Sequence, residues 1–556
     1  MAHTAALNSN NAEDILQTLE QQFTVDDQTL HNITTQFLRE VADGLSEYGR
    51  PMAMIPTYVK AVPDGTETGT FLALDLGGTN LRVCEVTLNG DQTFALRQQK
   101  YKVSESLKTG EVAALFDYLA DSVDTFLTES GSPSNAVPPS LSRNPTHNSH
   151  ANDLEEEDTY IPLALTFSFP VEQTALDSGR LLTWTKGFSA KNAIGKDVVK
   201  LLQDAFDRKH IHVKCVALVN DTVGALLSRA YTSGGCILGA IFGTGTNGAY
   251  VEDVAKATKL KNDPAAEDGG FMIVNTEWGG FNNTRSALPN TAYDNKLDRE
   301  SINPRYQAFE KFISGMYLGE ITRNIILSFI DAAPKPLLFK GLSTAEVNKQ
   351  WGVDTAVLSE VEEAWEGLGR FASTAQLNGT PSKEDKLERV RTVIAKWLGF
   401  ALNEISLTDA DIVRRICAMV ASRAARLSAC AVGAILVQTG RATLSANGEQ
   451  NPAELKDAGK RIGVGVDGSL VEFYPQFETK LRDALRGLVG PEVERRVEIG
   501  LAKDGSGAGA ALCALVAQRQ RQAASKHRGG YEHDPKHTQS RPRPEETTAY
   551  ITSMQS

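Results

Sequence analysis

The feature that most constrains this chain is a turn that occurs twice. Leu74-Asp75-Leu76-Gly77-Gly78-Thr79-Asn80 is echoed in the next half by Ile241-Phe242-Gly243-Thr244-Gly245-Thr246-Asn247. In each, an apolar strand runs into a Gly/Thr/Asn turn and out into a second apolar run. Such turns aim several backbone N–H groups at one point, a ready seat for phosphate oxygens. Two seats in corresponding positions of two half-chains predict one nucleotide held between two related lobes. The alternative is a pair of structural hairpins whose glycines only relieve positive-φ strain. A third turn near the end, Asp504-Gly505-Ser506-Gly507, favours the phosphate reading.

The bulk numbers narrow the field. A chain of 556 residues can build two large lobes or three to four small domains. A net charge of −12 argues against nucleic acid as the main partner, because that partner needs a basic face. No apolar run approaches the ~20 residues that span a bilayer, so no membrane association is expected. The longest run, Ala429 to Val437, reads as a buried helix segment. The N-terminus shows no basic patch with an apolar core, and Ser553-Met554-Gln555-Ser556 matches no lipidation or retention signal. The six cysteines stand singly and without Cys-x-x-Cys spacing. They read as small core residues in a reducing compartment, with no metal site or disulfide framework, and the cytosol is the expected location.

Strands alternate with helices along the chain, and hairpins imply mixed sheets, which together define an α/β class. Asp26-Asp27 open a helix with Leu30, Ile33, Phe37, Val41 and Leu45 on one face, ending at Gly49. Phe71 to Thr87 reads as a hairpin, followed by a helix with Leu115, Phe116, Leu119, Val123 and Phe126 on its apolar side. Gly131 to Asp158 collapses into Ser, Pro, Asn and His before an acidic run, a flexible surface insertion. Strands are predicted at Leu163–Phe169, Val213–Val219, Gly463–Val466 and Val497–Ala502. Long helices are predicted at Tyr306–Ala332 and Asp411–Leu436. Beyond Ala517 the composition predicts a disordered polar tail.

Several residues are placed to carry chemistry. Asp75 with Gly77, Gly78, Thr79 and Asn80 supplies amides, a hydroxyl and a carboxylate able to hold Mg²⁺ through water. Gly243, Thr244 and Gly245 offer amides and a hydroxyl on the other side. Asp504-Gly505-Ser506-Gly507-Ala508-Gly509 is no dinucleotide fingerprint, since no second strand follows. No G-x-x-x-x-G-K-[ST] loop exists. In Asn220-Asp221-Thr222, at a strand–helix junction, Asp221 is either a helix cap or a base accepting a hydroxyl proton in phosphoryl transfer. Ser168, Thr185 and Lys186 surround two strands, and Lys186 could neutralise charge developing on a phosphate. Glu277 and Glu310 are candidate acceptors for neighbouring sugar hydroxyls. Carboxylates, amides and a lysine lining a cleft suit a polyol substrate, which matched buried hydrogen bonds discriminate well.

Taken in order, these segments resemble the hexokinase family, most closely its fungal glucokinase branch. Leu165–Pro170 through Trp184-Thr185-Lys186 is similar to the family's sugar-binding signature. Leu74–Arg82, Val219–Val223, Phe242–Asn247, Asn275–Gly279, Gly315–Glu320 and Asp504–Gly509 match in order. The resemblance covers residues 12–517 and implies the two-lobed actin/Hsp70/sugar-kinase (ribonuclease H-like) fold, a central cleft between mixed sheets flanked by helices. It implies a small lobe over 68–220, a large lobe over 221–517, and flanking segments 1–11 and 518–556 outside the core.

The resemblance also implies roles. Asp221 accepts the proton of the sugar 6-hydroxyl, with Lys186 as its catalytic companion. Ser168, Thr185, Lys186, Asn220, Asn247, Glu277 and Glu310 surround the hexose. The three turns attend ATP, with Mg²⁺ carried by the nucleotide. The implied activity is ATP-dependent phosphorylation of glucose, with mannose and fructose as further substrates, opening glycolysis in a monomer or homodimer. The competing reading is a non-catalytic sugar sensor, which the retained base, lysine and turns disfavour. An actin- or Hsp70-like ATPase leaves Thr185-Lys186, Glu277 and Glu310 without a purpose. Where many hexokinases carry Gly-Gln-Gln after Asn-Pro, this chain has Arg305-Tyr306-Gln307, a bulkier stretch expected near the sugar. Asn282 replaces a frequent Asp, and Thr183 stands where some relatives carry Asn.

Overall fold

The twice-used turn sits at the heart of a twice-used sheet. The computed structural model describes residues 12–77, 80–129, 160–184, 187–267, 269–372, 381–444 and 455–529. A short strand, β1 (Ile55–Pro56), precedes the antiparallel meander β2 (Thr68–Leu76), β3 (Asn80–Asn89) and β4 (Phe94–Lys102). β5 (Ile161–Phe167) then joins β2 in parallel. A hairpin, β6 (Val171–Ala175) and β7 (Ser178–Leu181), stands apart, and β8 (Val213–Val219) joins β5 in parallel. The first sheet therefore runs β4-β3-β2-β5-β8.

The second half repeats the plan. β9 (Leu238–Phe242), β10 (Thr246–Asp253) and β11 (Phe271–Asn275) form an antiparallel meander. β12 (Ile462–Asp467) and β13 (Val497–Leu501) add in parallel on the far side of β9. With β1 on its outer edge, this sheet runs β1-β11-β10-β9-β12-β13. In both sheets the strand feeding the Gly-rich turn is central, which is why Leu72–Leu76 and Leu238–Phe242 read as near-continuous apolar runs.

The helices that follow the two sheets are exchanged. Asp221–Ser233 leaves β8 of the first sheet but packs on β9, β10 and β12 of the second. Ala508–Gly529 leaves β13 of the second sheet but packs on β2, β5 and β8 of the first. Each of these two helices thus carries the chain from one sheet to the other. The large lobe is enlarged by helices, including Gly315–Ile330, Leu407–Gln438 and Phe477–Arg496. The N-terminal helices Ala12–Phe23 and Asp27–Ser46 pack into it through Leu16, Phe23, Leu30 and Phe37. Leu407–Gln438 is long and apolar enough by length and composition to cross a membrane, and 83% of its apolar window is buried in this lobe.

Two sequence expectations need correction. The chain does not lose order at Ala517, because the last helix continues to Gly529. Its polar residues have tertiary partners: Gln520 Nε2 donates to the Tyr58 carbonyl at 3.2 Å, and Arg521 pairs with Asp177 at 2.6 Å. The helix expected over Tyr306–Ala332 is two helices, Ala308–Ile313 and Gly315–Ile330, broken at an extended Ser314. The break lets Gly315 N–H leave the helix ladder and donate to the Gly243 carbonyl at 2.7 Å. Residues 1–11, the insertion 131–158 and the segment 530–556 lie outside the described residues.

Candidate active site

β5 and β8 are parallel neighbours with Thr166 opposite Val219, so the residues just past them emerge at one edge. Those residues are Ser168, Asn220 and Asp221. Asn220, not Asp221, is the helix cap: its Oδ1 accepts from Thr222 N at 2.9 Å and from Thr222 Oγ1 at 2.6 Å. Asp221 is thereby released from capping, and its Oδ2 accepts a hydrogen bond from Ser168 Oγ at 2.7 Å. A carboxylate at the C-terminal edge of parallel strands stands where α/β sheets place reacting groups.

The facing wall comes from the second sheet. Asn247 Nδ2 donates to Asn275 Oδ1 at 2.8 Å and to Glu277 Oε1 at 3.1 Å. Asn275 Nδ2 donates to the same Glu277 oxygen at 2.8 Å. Glu277 takes a left-handed backbone, φ 52°, held by the buried Thr276, whose Oγ1 donates to the Gly248 carbonyl at 2.7 Å. Glu310 Oε2 accepts from Thr246 N at 3.0 Å, one residue before Asn247. A carboxylate beside the apolar helix face thus has a buried backbone partner. A small cavity lined by Phe167, Phe169 and Asn220 from one lobe and Asn275 and Glu277 from the other joins the two walls.

Of the triplet that departs from many hexokinases, Tyr306 is 68% exposed. Gln307 lies on Gly279, where a Cβ would stand 2.1 Å from its Oε1. The bulk expected near the sugar is therefore largely turned outward at Tyr306, and the amide stays inside. Buried Asn282 accepts from Ala287 N at 3.0 Å and Leu288 N at 3.1 Å, an acceptor role that Asp can also fill.

The first and third Gly-rich turns are clasped by one arginine. Arg82 stands opposite Asp75 in the β2–β3 register and reaches Asp75 Oδ2 through Nη2 at 2.8 Å and Nε at 3.0 Å. Its Nη1 reaches Asp504 Oδ1 at 3.0 Å, and Nη2 also donates to Ser506 Oγ. Thr166 Oγ1 donates to the Ser506 carbonyl at 2.8 Å, tying the third turn to β5. Burial, then the nearby charge of Asp221, push the Asp75 carboxyl up, while Arg82 pulls it down. Gly77 N–H donates to the Asn80 carbonyl at 3.1 Å. Gly78, Thr79, Thr185 and Lys186 lie outside the described residues.

The second turn is seated from behind. Gly243 rests against Gly468, whose Cα would be 3.1 Å from an added Cβ, and Met316 N–H donates to the Thr244 carbonyl at 3.1 Å. Beside Thr244 opens a cavity of about 640 Å³ lined by Met316, Val353, Thr355, Ser469 and Phe473 among others. It has the size and mixed lining of a nucleoside site next to a phosphate seat. Of these, sequence reasoning reached Met316 only as part of the Gly315–Glu320 match, and did not single out Val353, Thr355, Ser469 or Phe473. The one signal was the strand running into Asp467-Gly468-Ser469.

A duplicated sheet, exchanged helices, paired Gly-rich turns and a carboxylate–amide wall are the features of a two-lobed sugar-kinase fold. Two family models, both described as Hexokinase, match this chain over residues 15–231 and 237–516. Over 507 residues the chain is 41% identical to the glucokinase of Aspergillus niger, covering 87% of this chain and 93% of that protein. It is 35% identical to glucokinase-1 of Saccharomyces cerevisiae, covering 90% and 97% of the two chains. A solved hexokinase from Schistosoma mansoni complexed with glucose matches with a TM-score of 0.71 and 32% identity, covering 90% of this chain and 98% of that one. The chain belongs to the hexokinase family. It is an ATP-using hexose kinase.

Proposed function

We propose that the chain transfers the terminal phosphoryl group of ATP to the 6-hydroxyl of glucose, and of mannose and fructose less readily. The observation that carries this is Asp221: free of capping, held by Ser168, and set across the cleft from the Asn247–Asn275–Glu277 cluster. The cluster and Glu310 present carboxylates and amides that match several sugar hydroxyls at once, which orients the primary alcohol. Asp221 then takes the hydroxyl proton as the oxygen attacks. Lys186 is assigned to the charge developing on the transferred group, as the family motif implies.

The fit to ATP rests on two features of this chain. The cavity beside Thr244 holds the nucleoside, and the clasped Asp75, Asp504 and Ser506 border the phosphates. Among the described residues no cluster of three or more His, Cys, Asp or Glu could hold a metal ion. A Mg²⁺ arriving on the triphosphate would have Asp75 as its protein neighbour and would supply charge neutralisation there. Closure of the lobes only around a bound sugar excludes water, the competing nucleophile. All six cysteines are buried and free, which suits the cytosol.

The test is Asp221→Ala. Turnover is expected to fall at least ~10²-fold while glucose binding, followed by tryptophan fluorescence, persists. Near-normal phosphorylation by this variant would overturn the assignment.

A further inference from the structure

Behind the sugar-facing wall lies a buried knot that neither the activity nor the family motifs assign. Asp298, 6% exposed, lies in the last turn of the Ala292–Glu300 helix. Its Oδ1 pairs with Lys311 Nζ at 2.7 Å and with Arg285 Nη2 at 2.7 Å. Both its oxygens also accept from the backbone N–H of Arg305, at 3.0 and 3.2 Å. Lys311, 2% exposed, donates in addition to the Asn303 carbonyl at 2.7 Å. One carboxylate therefore gathers the loop after Glu277, the Ser301–Gln307 loop and the helix that carries Glu310.

The backbone at these points is not relaxed. Arg285, Arg305 and Gln307 have φ of 56°, 66° and 53°, a left-handed region that side chains other than glycine enter at a cost. Strain of this kind persists only when surrounding bonds over-determine it. Here Asp298 grips the N–H of Arg305 and the side chain of Arg285. Gln307, two residues on, lies on Gly279, and Ala308 N donates to Asn283 Oδ1 at 3.0 Å, so the two loops are tied to each other.

We propose that Asp298 is a positioning residue for hexose recognition. Its buried carboxylate holds the Arg305–Gln307 turn in its left-handed form, and so sets Gln307 and Glu310 against the Glu277 loop. Asp298 touches no substrate. This rests on the hexose-site reading above, and it explains how the chain tolerates Arg at position 305 without glycine's freedom.

The experiment is steady-state kinetics of Asp298→Asn, which keeps the shape but removes the charge shared by Lys311 and Arg285. KM for glucose is expected to rise about tenfold, the scale of losing a buried charged hydrogen bond, with kcat within about twofold and KM for ATP unchanged. Adding Arg305→Gly relieves the strain from the other side and is expected to recover at least about threefold of the lost glucose KM. An unchanged glucose KM, a parallel loss in both substrates, or no recovery in the double variant would overturn the proposal. If Asp298→Asn does not fold, Lys311→Gln removes one donor, and the same split between glucose KM and kcat is required of it. Failure of the hexose site itself reads differently: Asp221→Ala would then keep its turnover whatever Asp298 does.

Discussion

Gly224 and Gly509 meet backbone to backbone where the two exchanged helices cross. A Cβ at Gly509 would stand 2.2 Å from the Gly224 carbonyl oxygen and 2.4 Å from its Cα. A Cβ at Gly224 would in turn meet the Gly505 carbonyl oxygen at 2.2 Å. The crossing joins the helix that begins at Asp221 to the turn that holds Asp504 and Ser506. The proposed base and the third Gly-rich turn are thus carried by one helix pair.

Gly509→Ala is expected to destabilise the protein by about 1–3 kcal/mol, because the methyl group meets backbone that can yield only by separating the helices. Gly433→Ala is the control. Its Cβ would meet a flexible Leu488 side chain at 3.2 Å, so the cost is expected to be less than half as large. Thermal melting of both variants measures this. Equal melting temperatures would show that the crossing is looser than its geometry.

Much of this architecture was legible because it repeats. Two Gly-rich turns between apolar runs announced two equivalent sheets, and order along the chain supplied the strand–helix alternation. The role of Asn220 was not legible, since two adjacent residues both cap well and only backbone direction decides which one does. Nor was the exchange of Asp221–Ser233 and Ala508–Gly529, because an apolar helix face does not name the sheet it covers. Lys259 gave no signal at all. It donates to the carbonyls of Gly44, Ala53 and Met54 at 2.7, 2.8 and 2.7 Å, backbone groups brought to it from far along the chain. Asp298 was hidden for the same reason: its partners are defined by loop conformation, which composition does not encode.

The cavity beside Thr244, proposed to take the nucleoside, allows a test that distinguishes nucleotide binding from sugar binding. Ser469 lines it with Phe473 and Met316 at the start of a helix seated on Gly243. Ser469→Phe fills space that a nucleoside needs and touches no residue of the Glu277 wall. KM for ATP is expected to rise at least about tenfold, with glucose KM unchanged, the pattern of lost uniform binding for one substrate. A glucose KM that moves with it would place the cavity elsewhere in the reaction.

The clasp between Arg82 and Asp75 makes a prediction with a sign. Burial is the largest influence raising the Asp75 carboxyl and the charge on Asp221 the next, while the Arg82 guanidinium lowers it. Arg82→Gln removes the lowering influence and leaves the two raising ones, so Asp75 stays protonated to higher pH. If phosphoryl transfer needs Asp75 ionised beside the triphosphate, the acid limb of kcat/KM moves upward in pH, and the loss grows as pH falls. At its plateau turnover is expected to fall about 10²-fold, the scale of displacing a positioning group by about 1 Å. Stability follows the same linkage. An acid with a raised folded pKa favours the fold at pH below its unfolded value, and that favour is lost as pH rises through the folded value. The variant raises the folded value further, so its melting temperature is expected to fall more steeply than the parent's as pH rises across that window. A uniform loss of activity, with the acid limb unmoved, would show that Arg82 serves the turn by shape and not through the charge of Asp75.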